Sequence, residues 1–165
     1  MPEPGAIKVL LMTYKVAVVR EVLASQEKVW SLVTDLPRMG EWSPENQGGE
    51  WLEGATCAAV GAKFRGNNKN GDKSWQATVT VDVYDAPRKF VFSLKYKEMH
   101  LSDWVYEIEP TPSGCRVTHA WVEGPQWAEF APLGKGISGV DDRASHNHRN
   151  MGVTLDNLVK ALDTV

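Results

Sequence analysis

A chain of 165 residues and 18.3 kDa, 42% of them hydrophobic, is long enough to bury a sizeable core and reads most simply as one domain over residues 1–165. Its formal net charge of −3 and pI near 5.8 come from dispersed charges of both signs, which excludes a basic nucleic-acid surface and a polybasic membrane patch. Residues 7–19 are apolar-rich, but Lys8 and Lys15 interrupt them and no small-residue cleavage site follows. Neither a secretion signal nor a stable membrane insertion is expected, and the expected compartment is the cytoplasm. Cys57 and Cys115 have no partner spacing, so both are expected as small core residues and not as a disulfide or metal ligands.

Residues 1–6 read as a loose start. Over residues 14–22, Val16, Val18, Arg20 and Val22 alternate onto one side and predict a first strand. Ser25 is placed as an N-cap for a helix from Gln26 to Leu36, with Val29, Trp30, Leu32 and Val33 as its apolar face; Pro37 ends it, and Arg38 to Trp42 add one short helical turn. Trp51, Cys57 and Phe64 lie in a strand-rich stretch, but nothing in the pattern over 48–66 fixes which side chains face inward. Gly66 to Gly71 reads as a turn of Gly and Asn, residues that tolerate positive φ.

Four patterned strands follow at 74–84, 89–96, 101–109 and 115–123, joined by Asp85-Ala86-Pro87 and by Pro110 to Gly114, connections short enough to make neighbours antiparallel. Trp75, Val79, Val81, Phe92, Leu94, Trp104, Tyr106, His119 and Trp121 share the inward register. Gly124 to Gly139 carries Trp127, Phe130, Leu133 and Ile137, more large apolar groups than an exposed loop requires, so part of 124–139 is expected either to fold as a lid over a pocket mouth or to pack on the sheet edge. Residues 141–163 predict one long amphipathic helix. Ala144, His148, Met151, Leu155, Leu158 and Leu162 form its stripe, Arg143, Asn147, Asn150, Asn157 and Lys160 lie on the other side, and Asp141 and Asp142 favour the first turn. Gly152 and the polar ring of His148 interrupt the pattern, as they would where the helix borders a hollow.

The inward aromatics fit a filled core and a ligand pocket equally well from pattern alone. His119 and His148 are both expected inward, as hydrogen-bonding groups or as an acid–base pair, with no carboxylate paired to either by spacing. His146 and His148 point to nearly opposite sides of the helix and cannot chelate together. The Gly66 to Ser74 stretch is not a phosphate-binding loop, because a strand and not a helix follows it.

Glu27-Lys28-Val29-Trp30-Ser31-Leu32-Val33-Thr34-Asp35, Met39-Gly40-Glu41-Trp42-Ser43-Pro44-Glu45, Val60-Gly61-Ala62-Lys63-Phe64, Trp104 to Pro110 and Gly114 to Thr118 together resemble the START-like, or SRPBCC, superfamily. The likeness is to its polyketide cyclase/dehydrase and lipid-transport branch of actinobacterial type. The resemblance implies an α+β helix-grip fold (START/Bet v 1-like): a curved antiparallel sheet of six or seven strands around the C-terminal helix, with two short helices after strand 1. It also implies a hollow for an apolar or aromatic ligand, which would be lined by Trp42, Phe64, Trp75, Val79, Val81, Phe92, Leu94, Trp104, Tyr106, His119, Trp121, His148, Met151 and Leu155. No cofactor and no metal are expected.

Binding of a small polyketide-like or lipid-like molecule is the expected function, with the small hydrophobic ligand as partner and no nucleic acid. The alternative is a cyclase or dehydratase in which His119, Tyr106 or His148 moves protons. A missing inward Arg on the patterned strands weighs against it. A protein-interaction or cochaperone-like module ranks third, because the outer sheet face, rich in Thr, Asp, Glu and Lys, offers no apolar patch.

Overall fold

Residues 14–163 are described by a computed structural model, so the expected loose start at 1–6 lies outside the described residues. Seven strands, β1 (Val16–Val22), β2 (Asn46–Trp51), β3 (Lys63–Asn70), β4 (Lys73–Asp85), β5 (Lys89–Tyr96), β6 (Met99–Thr111) and β7 (Gly114–Glu123), form one antiparallel sheet in the order β1-β7-β6-β5-β4-β3-β2. Pairing turns the alternation of each strand into rows across the inner face. Val16, Trp121, Trp104, Phe92 and Val81 make one row, and Val18, His119, Tyr106 and Phe90 the next. Irregular registers between Val81 and Val83 and between Leu94 and Lys95 bend the long strands.

Among the described residues three α-helices complete the helix-grip fold: α1 (Gln26–Val33), α2 (Trp127–Ser138) and α3 (Arg143–Asp163). The Ser25 hydroxyl accepts from the Lys28 amide at 3.2 Å, as the N-cap expectation requires. The first helix stops at Val33 and not at Leu36, and Leu36–Glu41 is a separate 3-10 helix. Pro37 sits in its first turn, where no backbone donor is needed, so this proline opens the 3-10 helix and does not end α1, which is already capped at Thr34. Segment 124–139, expected as a loop, contains α2.

The turn expected at Gly66 to Gly71 is mostly strand: β3 runs to Asn70 and only Gly71 and Asp72 turn. Gly66 pairs with Gly49 of β2 and Ala77 of β4, and Asn46 Nδ2 lies 2.8 Å from where a Cβ would stand. β6 likewise continues through Pro110 and Thr111, leaving Pro112 and Ser113 as the hairpin turn.

Met151, Leu155, Leu158 and Leu162 of α3 are buried against Val18, Val22, Val29, Ile108 and Val117, the main core. Asp141 and Asp142 precede the helix, and Asp142 Oδ1 accepts from the Ser145 amide at 3.1 Å, so it caps the first turn from outside. The expected phase of α3 is off by one position near its start: His148 is exposed, whereas Asn147 is 2% exposed. The outer sheet face is not polar throughout. Val91, Val105 and Ala120 form a second, smaller buried cluster there, with Tyr14, Val83 and Val122 packed on it. Cys115 is buried as expected; Cys57 is exposed, and both are free thiols. Among the described residues no helix is long and apolar enough to cross a membrane.

Candidate ligand-binding cavity

The sheet, α2 and α3 enclose a cavity of about 680 Å³, within the range of small-molecule sites. Its position follows from the register. Where inward side chains of β3 to β7 meet α3 beyond Met151, the helix presents Asn147, Asn150 and Thr154 in place of the leucines that close the core.

Of the residues expected to line a pocket, Phe64, Trp75, Val79, Phe92, Leu94, Trp104, Tyr106, His119, Trp121 and Met151 do so. Trp42, Val81 and Leu155 are in the dry core, 3%, 1% and 2% exposed, and are not part of the cavity wall. His148 lies on the outside of α3 and does not join His119.

His119 and Tyr106 face each other across β6 and β7 and stack, centroids 3.9 Å apart and planes 3° from parallel. His119 Nδ1 donates to the Val105 carbonyl at 3.0 Å, which leaves Nε2 as the acceptor of the neutral ring. Burial holds its pKa down to about 4, opposed only in part by the Val105 bond, and burial pushes the Tyr106 hydroxyl up. Both groups are neutral at pH 7. The aromatic wall continues through Trp104, 5.7 Å from His119, and Trp121, which meets Trp127 of α2 edge-on at 5.3 Å. Phe130 joins α2 to Tyr96 at 5.6 Å. Leu133 and Ile137 are exposed instead, Ile137 at the cavity rim, so Trp127 and Phe130 are the large aromatic groups of this segment that close the cavity.

The opposite end is polar. Glu45, just before β2, accepts from Arg143 Nη1 at 2.9 and 3.0 Å and from His146 Nε2 at 2.6 Å. The Arg143 guanidinium lies 6.0 Å from the Trp75 ring, and Asn147 Oδ1 accepts from it at 3.4 Å. Two buried polar atoms on cavity-lining residues have no hydrogen-bond partner among the described residues, Asn147 Nδ2 and Ser102 Oγ. Sequence reasoning placed Arg143, Asn147 and Asn150 away from the sheet. Their recurrence at i, i+4 and i+7 is as regular as that of the leucines, and that polar period was the signal available. Among the described residues no group of three His, Cys, Asp or Glu could hold a metal ion.

Residues 13–163 match the family described as polyketide cyclase / dehydrase and lipid transport. This chain belongs to that family. Among solved structures, a protein of Nitrosomonas europaea is similar at 14% identity and TM-score 0.67, over 93% of this chain and 97% of that one. A polyketide-cyclase-like protein of Corynebacterium glutamicum is 25% identical with TM-score 0.62, covering 93% and 94%. The di-domain ARO/CYC of the steffimycin biosynthetic pathway matches over 90% of this chain and 50% of its own length, at 11% identity and TM-score 0.66. No curated protein matches the chain.

Proposed function

We propose that this member of the polyketide cyclase / dehydrase and lipid-transport family is a single ligand-binding domain that holds a flat, largely apolar molecule, polyketide-like or lipid-like, between the sheet and α3. The observation that carries this reading is the cavity of about 680 Å³ whose wall is the continuous run Tyr106, His119, Trp104 and Trp121. Stacked and edge-on rings suit a planar ligand, and α2 serves as the cover through Trp127 and Phe130.

Binding is favoured over a cyclase or dehydratase by the chemistry of the candidate proton carriers. An acid–base catalyst works best with a pKa near the operating pH. His119 at about 4 is a weak base at neutrality, Tyr106 is moved further from it, and His148 lies outside the cavity.

An environment-sensitive apolar dye is expected to bind the folded protein at one site and quench tryptophan fluorescence. Trp104→Ala, which shortens the wall, should weaken that binding by about 1–3 kcal/mol through lost apolar contact. In the same titration, amide exchange over 127–138 should slow on binding. Absence of saturable binding would sink the cavity reading, and unchanged exchange in the bound protein would sink the role of α2 as a cover.

A further inference from the structure

We infer that the bound molecule is oriented by an uncharged carbonyl oxygen docked at Asn147 and Arg143, with its ring system lying along the aromatic wall; this rests on the binding function proposed above. Asn147 is 2% exposed, lines the cavity, and its Nδ2 has no partner among the described residues. Its amide orientation is set by Arg143 Nη1, which donates to Oδ1 at 3.4 Å and so leaves the NH₂ end as the unsatisfied donor. A buried donor without an acceptor destabilises the empty protein, and a ligand oxygen placed there relieves it.

Arg143 stands one helical turn earlier on the same face of α3. Its Nη1 serves both Glu45 oxygens and Asn147, whereas Nε and Nη2 have no hydrogen-bond partner among the described residues. Two donors on adjacent turns, on residues that line one cavity, can bind one acceptor oxygen.

Charge decides which oxygen. Glu45 already offsets Arg143, its two oxygens accepting from Nη1 at 2.9 and 3.0 Å. A carboxylate added beside that partly buried ion pair would bring a further negative charge next to Glu45, whereas a ketone or quinone carbonyl brings none.

Three probes of one shape separate the possibilities: 2-ethylnaphthalene, 2-acetylnaphthalene and 2-naphthoate, titrated at pH 7.5. The ketone is expected to bind the wild-type protein about 2- to 12-fold tighter than the ethyl compound, the range of one neutral hydrogen bond, with the naphthoate weaker than the ketone. In Asn147→Leu the preference for the ketone should disappear while affinity for 2-ethylnaphthalene holds. The carbonyl stretch of bound 2-acetylnaphthalene in the wild-type protein should move to lower frequency than in an apolar solvent, a readout that needs no variant to fold. Equal binding of ketone and ethyl compound, an unshifted carbonyl, or a preference surviving in Asn147→Leu each overturns this inference and leaves the binding function standing. Tighter binding of the naphthoate overturns it in favour of an anionic ligand. Failure of all three probes to saturate removes the binding function and this inference with it.

Discussion

Trp121→Ala is expected to lower the stability of the protein by about 3–5 kcal/mol, the range for emptying a buried aromatic site. The ring is 1% exposed, sits between Val16 on β1 and Trp104 on β6, and meets Trp127 of α2 edge-on. It is therefore the side chain through which the central sheet and the helical cover share one packing unit. Truncation enlarges a hollow that already exists, and the surrounding rings are fixed to paired strands and cannot collapse into the space. A loss of that size is a large part of a typical domain's total stability. Chemical denaturation reads it as a lower midpoint at unchanged slope. A midpoint within about 1 kcal/mol of the wild type would mean that Trp121 acts only as a cavity wall and carries none of the core.

Acidification should destabilise the protein by about 3 kcal/mol between pH 6.5 and 4 on account of His119 alone, since each pH unit separating the folded and unfolded pKa values contributes about 1.4 kcal/mol. The imidazole is buried against Tyr106, and its pKa falls from 6.5 to about 4. Above pH 6.5 the ring is neutral in both states and the stability is fully present. Through the window below it, the unfolded chain takes up a proton that the folded chain refuses, so stability falls as pH falls. His119→Asn keeps an N–H donor for the Val105 carbonyl and cannot titrate, so the gap between wild type and variant should narrow steadily from pH 7 to pH 4. Asp142 and Asp156, whose pKa values are lowered by Ser145 and Arg20, lose their contributions at still lower pH and are common to both proteins. Parallel stability curves across the window would show that His119 is more solvated than its 5% exposure implies.

Strand alternation was legible because its cause is local. From Trp75 to Trp121 successive side chains of each strand go to opposite faces, and short connections force neighbours to pair, so the inner rows could be read from period 2. The Ser25 cap and the length of α3 are local for the same reason. β3 was misread because Gly and Asn tolerate many conformations. Their pairing with β2 and β4 is what makes them strand, Gly66 lying opposite Gly49 and Ala77, a long-range constraint that no window around residue 66 contains. Leu133 and Ile137 made 124–139 look like an apolar loop; with helical spacing, Trp127 and Phe130 pack on aromatics of the sheet, while Leu133 is exposed and Ile137 sits at the cavity rim.

By itself, then, the sequence determined the antiparallel strands from Trp75 to Trp121, the inward aromatics and the apolar face of α3, since each is a periodicity of a few residues imposed by backbone geometry; the helix-grip arrangement was what the family resemblance implied. Only the tertiary structure decided which inward residues border space and which pack dry: Trp42, Val81 and Leu155 went to the core, and Trp104, His119 and Met151 to the cavity. It also decided the phase of α3 near its start, exposing His148 and burying Asn147. Hydrophobic periodicity marks where a helix meets an apolar partner; beside a polar-ended cavity that constraint lapses, and the helix turns to the angle that lets Arg143 reach Glu45, a residue 98 positions away in the chain.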